Sequence, residues 1–239
     1  MSAPVATPLS PHRPTLLWPW VIIALLGAVV ATLAVTTHTG ISRGLDVAVW
    51  NSAVVSRTPA VVAISKFLAV AFGTESMIVC SLLLATLLWW GTRAWHLAAM
   101  FVGSGALATL TTTTLKFLIL RERPPVADRL TIESTFSFPS GHSSSAAAFL
   151  VAGALVLVTL APKLKPWAWI ITPLLVASVM ASRLYLGVHW FTDVVAGASV
   201  GTAAALFAFW VYQRFSPDAR AEDAGSSPLR SIRAERVRE

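Results

Sequence analysis

PSGHSSSAAAFLVAGALVLVTLAPKLKPWAWIITPLLVASVMASRLYLGVHWFTDVVAGASVGTAAALFAFWVY, residues 139–212, holds three long apolar runs separated by a few polar residues each. A helix rises about 1.5 Å per residue, so roughly 20 apolar residues cross a hydrocarbon core about 30 Å thick. The runs predict membrane-spanning helices over 143–161, 166–185 and 190–212. Working back toward the N-terminus, the same reading adds spans over 16–35, 74–90 and 95–119. The expected fold class is all-α: a polytopic membrane protein built as a six-transmembrane-helix bundle. Composition agrees, with 56% hydrophobic and 12% charged residues among 239 and a mean hydropathy of +0.71. A soluble domain carries about 25% charged residues.

Tryptophan placement supports these spans. Trp18, Trp20, Trp89, Trp90, Trp95, Trp167, Trp169, Trp190 and Trp210 all fall near predicted span ends, where indoles favour the headgroup level. The tenth, Trp50, lies in a long segment between the first two spans. That segment, 36–73, carries Leu45, Val49 and Trp50 at helical spacing and then an apolar stretch from Pro59 to Phe72 interrupted by Lys66. Too short to span, it is expected to supply extra interfacial helices, acting either as a lid or as a packing cap. Residues 1–15 are rich in Pro, Ser and Thr and read as a disordered N-terminal segment; 213–239 read as a basic tail. The first apolar run exceeds the usual length of a signal-peptide core and reads as a retained helix.

The formal charge of +7 belongs to membrane topology rather than to nucleic acid, for which no basic binding pattern is present. Arg13, Arg93, Lys163, Lys165 and the six arginines after Tyr212 fall on one side of a six-span layout, which the positive-inside rule makes cytoplasmic. The other side also carries cations, among them Lys116, Arg121, Arg123, Arg129 and Arg183, so the rule persuades only if some of these are kept for chemistry. Cys80, the one cysteine, sits in an apolar run and reads as packing. Thr111 to Thr114 read as hydroxyls bonded back to the preceding turn. Gly197 and Gly201 form a small-xxx-small pair that suits close helix packing or a homodimer.

Three polar clusters stand out against this background. Ionisable groups beside hydrocarbon are expensive and usually functional. His189 and Asp193, four residues apart, share a helical face, so the carboxylate can hold one imidazole nitrogen and leave the other nucleophilic. Arg183 lies across a short turn. Lys116 and Arg123 are seven residues apart, but Pro124 biases Arg123 away from the helix. In the third cluster Gly141 permits close backbone approach to an anion, Ser140 offers a hydroxyl and an amide, and His142 opens a span. Each cluster alone has an ordinary reading: a snorkelling lysine, serine helix caps, an interfacial histidine. The topology nonetheless delivers all three to one membrane face, and three cations with two histidines suit phosphate-ester chemistry.

The clusters Lys116-x6-Arg123-Pro124, Pro139-Ser140-Gly141-His142 and Ser182-Arg183-x5-His189-x3-Asp193 resemble the three signatures of the type 2 phosphatidic acid phosphatase superfamily. The surrounding Tyr185-Leu186-Gly187-Val188-His189 and Thr192-Asp193 are similar to its bacterial members. The resemblance implies a lipid phosphate phosphatase that needs no metal or other cofactor and works through a phosphohistidine. His189 would attack phosphorus, Asp193 orient it, and His142 protonate the leaving oxygen. Lys116, Arg123, Ser140, Gly141 and Arg183 would hold the phosphoryl oxygens. The implied substrates are phosphatidic acid, phosphatidylglycerol phosphate or undecaprenyl diphosphate, taken from the bilayer. The implied location is a bacterial inner membrane, with both termini cytoplasmic and the site facing outward. The competing expectation is a lipid transporter or scramblase with a non-hydrolytic anion site.

Overall fold

The computed structural model describes residues 18–216; the segments expected to form the disordered N-terminus and most of the basic tail lie outside them. The described residues form eight α-helices and two short 3-10 turns, with no strand among them. The helices are α1 (Trp18–His38), α2 (Arg43–Val55), α3 (Pro59–Ala71), α4 (Thr74–Thr92), α5 (Trp95–Ile119), α6 (Gly141–Leu160), α7 (Lys165–Tyr185) and α8 (Phe191–Phe215). Helices α4 to α8 are long and apolar enough to cross a membrane, and α1 with α2 makes a sixth candidate bent by 93° at its break. The all-helical bundle expected from the apolar runs is the fold observed.

Local chemistry explains the helix ends. Thr58 caps α3 by accepting from the Val61 N–H at 3.3 Å, with Pro59 in the first turn where its missing N–H is harmless. Ser140 caps α6 in the same way through Ser143. Helix α5 stops at Ile119 because Leu120 takes a left-handed conformation (φ 53°), so Lys116 and Arg123 are not joined by a continuous helix.

Helices α5, α6 and α8 form the centre. A compact apolar core of Leu97, Phe101, Ala152, Leu155, Ala205 and Leu206 sits toward their far half. Gly197 and Gly201 face α6 of the same chain, where added Cβ atoms would lie 2.4 Å from the Ser140 carbonyl oxygen and 2.1 Å from that of Ser144. The glycine pair thus serves contact within one subunit. Thr114 bonds back to Leu110 as expected, but Thr112 donates across to Ser144 Oγ at 2.8 Å and ties α5 to α6. Helix α1 leans on α8 through Trp20 and Trp210, ring centroids 4.6 Å apart. Outward-facing residues such as Leu25, Leu83, Leu87, Trp90 and Leu174 are exposed, as lipid-facing side chains are.

The chain direction sorts the polar residues. Lys116 lies at the end of α5, His142 at the start of α6, Arg183 at the end of α7 and Asp193 at the start of α8, so all four share one end of the bundle. Arg93 and Lys163 lie in the turns at the other end, where Lys165 opens α7. Helices α2 and α3 pack on the polar end, beside α7.

Candidate active site

His189 follows the tight turn at Gly187 (φ 73°), two residues before α8 begins. The turn is crowded: a Cβ on Gly187 would lie 2.6 Å from both Arg57 Nη2 and the Asp128 carbonyl oxygen. Arg57 holds it by donating to the carbonyls of Tyr185 (2.7 Å) and Asp128 (2.8 Å). The His189 ring is buried. Its Nδ1 lies 3.3 Å from Asp193 Oδ2, and its Nε2 lies 3.1 Å from Arg123 Nη1. Guanidinium nitrogens only donate, so Nε2 accepts and the proton resides on Nδ1, pointing at the carboxylate. Burial pushes the imidazole well below its usual protonation range, and Arg123, Arg183, Lys116 and His142 push in the same direction. The ring is therefore neutral, with its lone pair on the side of the cations.

Asp193 is completely buried in the first turn of α8. Its Oδ2 accepts from the Trp190 N–H at 2.9 Å, satisfying a helix-start donor, and from Ser137 Oγ. Its Oδ1 accepts from Arg121 Nη1. Arg121 was legible in the sequence only as one more basic residue. It reaches a second carboxylate, Asp46 of α2, through Nη2 at 2.6 Å. Asp46 was not anticipated. It is buried and accepts from the Thr192 N–H at 2.9 Å.

The three expected phosphate-binding cations converge on the segment 133–136. Lys116 Nζ donates to the Phe136 carbonyl. Arg123 donates to the carbonyls of Thr135 (2.7 Å), Phe136 (3.2 Å) and Val188 (2.8 Å), and its Nη2 lies 3.5 Å from Glu133. Arg183 pairs with Glu133 through Nη2, while its buried Nε has no hydrogen-bond partner among the described residues. One carboxylate thus bridges two guanidiniums on the side of His189 that a phosphoryl group would approach. His142 lies in the first turn of α6 and hydrogen-bonds the Ala69 backbone, within electrostatic reach of Arg183, Glu133 and Arg123. Gly141 and Lys116 line a common cavity. Ser140 is placed differently: its amide donates to the Asp193 carbonyl at 2.9 Å and its hydroxyl accepts from Ser143. In this arrangement its amide locks the α6 start to the α8 start.

From this site a groove runs toward the apolar part of the bundle. A cavity of ≈ 300 Å³ lined by Lys116, Phe136 and Gly141 shares Thr74, Thr109, Thr113 and Ser145 with a second of ≈ 450 Å³ between α4, α5 and α6. The second is lined mainly by apolar residues, including Met77, Leu82, Val102, Leu110 and Phe149.

Residues 93–217 match the PAP2 superfamily. The chain is 33% identical to phosphatidylglycerophosphatase B of Bacillus subtilis (strain 168) over 172 residues, 71% of this chain and 84% of that protein. It is 40% identical to an undecaprenyl-diphosphatase of Sulfolobus acidocaldarius over 67 residues, 28% of this chain and 29% of that one. Among solved structures, a transmembrane PAP2 type phosphatidylglycerolphosphate phosphatase from Bacillus subtilis superposes with TM-score 0.74 at 28% identity. That match covers 84% of this chain and 99% of the other. The matches define a membrane phosphatase, a hydrolase rather than a passive anion gate. The chain belongs to the PAP2 superfamily.

Proposed function

We propose that this enzyme hydrolyses the phosphomonoester or diphosphate headgroup of a membrane lipid through a phosphohistidine, without a metal. The observation that carries the reading is the polarity of His189: Nδ1–H toward Asp193, and the Nε2 lone pair toward the cations, where it accepts from Arg123. In the first half-reaction Nε2 attacks phosphorus, the bond to the leaving oxygen breaks, and His142 gives that oxygen a proton. In the second, water attacks the phosphohistidine, His142 takes its proton, and inorganic phosphate leaves. Asp193 stabilises the positive charge that His189 acquires. Arg123, Arg183 and Lys116 neutralise the phosphoryl oxygens, with the unpartnered Arg183 Nε as a ready donor. Fixed cations supply the charge stabilisation that magnesium supplies elsewhere.

The lipid tail runs into the apolar groove between α4, α5 and α6, which begins at the phosphate-binding end. Phosphatidic acid, phosphatidylglycerol phosphate and undecaprenyl diphosphate are the substrate candidates. Arg93, Lys163 and Lys165 at the opposite bundle end support a cytoplasmic position for that end, with the site at the outer face of a bacterial inner membrane. The test is phosphate release by detergent-purified enzyme in a chelator, with the three lipids offered in parallel and His189→Ala as control. Release that the chelator spares and the mutant lacks supports the mechanism. Release that survives in the mutant overturns it.

A further inference from the structure

We propose that Asp46 of α2 is a positioning residue of the reaction, sharing Arg121 with Asp193 so that a net negative charge remains on the Asp193 side of His189. The inference rests on the phosphohistidine reading and adds to it a residue outside the 93–217 segment that matches the superfamily.

The geometry is a chain of four groups. Asp193 Oδ2 faces His189 Nδ1, while Asp193 Oδ1 takes Arg121 Nη1. Arg121 Nη2 reaches Asp46 Oδ2 at 2.6 Å, and its Nη1 also donates to Thr192 Oγ1 at 2.7 Å. Asp46 Oδ1 takes the Thr192 N–H at 2.9 Å, so the carboxylate is fixed to the first turn of the helix that carries Asp193. The guanidinium lies over the Trp190 ring, 5.7 Å from its centroid, and Trp190 also meets Trp50 of α2 at 6.1 Å. Asp46 and Asp193 are 1% and 0% exposed, so this is an enclosed network and not a surface pair.

Charge decides what the network does. One buried guanidinium on one buried carboxylate would cancel the negative charge that His189 draws on when phosphorus is transferred to it. A guanidinium shared between two carboxylates leaves the group with one net negative charge beside the ring. The surroundings make that charge matter: Arg123, Arg183, Lys116 and His142 all oppose positive charge on His189. Against them stand Asp193 and Glu133, and Glu133 is already engaged by two of the cations. Asp46 lines neither cavity of the groove and bonds to Arg121 and Thr192, so its influence on His189 passes through Arg121.

The experiment compares Asp46→Asn, Arg121→Gln and the double variant with wild type, by phosphate release across pH and by detergent-state melting. Asp46→Asn keeps the shape and removes one negative charge. Its kcat is expected to fall about tenfold, the lower end of the loss seen when the direct partner of a metal-binding histidine is removed, with KM within about twofold. Losing a negative charge disfavours protonated His189, so the acidic limb of kcat/KM moves to lower pH. Arg121→Gln removes a positive charge, and the limb moves up. The double variant restores the charge balance, so its limb returns toward that of wild type. A purely structural role moves none of these limbs. Should Asp46→Asn fail to fold, Arg121→Gln against the double variant reads the same effect. Equal limbs in all folded variants overturn the proposal. A wild type that releases no phosphate overturns the phosphohistidine reading, and this inference with it.

Discussion

Arg123 Nη1 lies 3.1 Å from His189 Nε2, on the opposite edge of the ring from Asp193. The lone pair proposed as the nucleophile is therefore covered by a donor that, in that mechanism, would turn to a phosphoryl oxygen when substrate arrives. The relation fixes the tautomer and explains why one histidine, and not its neighbour His142, is the expected point of attack. His189→Ala is expected to lower kcat by at least about 10³-fold, the scale of losing a triad member. The side chain fills a buried position, so the measurement pairs phosphate release with a size-exclusion profile of the same sample.

The second prediction concerns pH. Burial and the neighbouring cations hold His189 neutral well below the usual imidazole range. Deprotonation is what attack requires, so the acidic limb of kcat/KM attributable to His189 lies well below pH ~6.5, the ordinary histidine value. Stability follows with a definite sign. Below pH ~6.5 the unfolded chain binds a proton at this residue that the folded chain refuses, so acidification costs stability from there down to the folded value. Melting temperatures between pH 7 and 5 are expected to fall less steeply in His189→Gln than in wild type. Parallel slopes would contradict the assignment.

Glu133 bridges Arg183 and Arg123, the pair expected to grip phosphate. A phosphoryl group held by this pair, as proposed, would compete with a carboxylate that already engages both guanidiniums. Removing its charge while keeping its size leaves the cations less engaged. Glu133→Gln is expected to tighten product inhibition by inorganic phosphate several-fold, on the scale of about 1 kcal/mol for a partly exposed ion pair. Unchanged or weaker phosphate inhibition would show that Glu133 instead holds the arginines in their working geometry.

Much of this site could be read from the sequence because its residues announce themselves locally. Apolar runs of bilayer length set the helices. His189 and Asp193 are four apart, and Lys116, Arg123 and Arg183 are charges where hydrocarbon makes charge expensive. The Asp46–Arg121 link joins positions 75 residues apart, and no local spacing encodes it. A faint signal existed: Asp46, Trp50 and Ala53 form the buried stripe of α2, so an aspartate stands in line with its apolar face. A carboxylate on the buried side of an interfacial helix needs a cation, and Arg121 was among those, with Arg129, that had no assigned task. Ser140 shows the converse, since only packing reveals that its amide is taken by the Asp193 carbonyl.

The fit between α6 and α8 gives a last prediction. Gly201 faces the α6 backbone so closely that a Cβ would lie 2.1 Å from the Ser144 carbonyl oxygen and 2.8 Å from the Ala148 nitrogen. Backbone cannot rotate aside as a side chain can, so Gly201→Ala must separate the helices. The expected loss is at least about 1–3 kcal/mol, the usual range for overpacking, read as a lowered melting temperature in detergent. Gly197→Ala presses at 2.4 Å on the Ser140 carbonyl, beside the bond from the Ser140 amide to Asp193. Its folded fraction should therefore lose activity as well as stability, because separation there shifts Asp193 relative to the His142 turn. The two variants separate packing from positioning: normal specific activity in folded Gly197→Ala would mean that the helix starts tolerate displacement without disturbing the histidines.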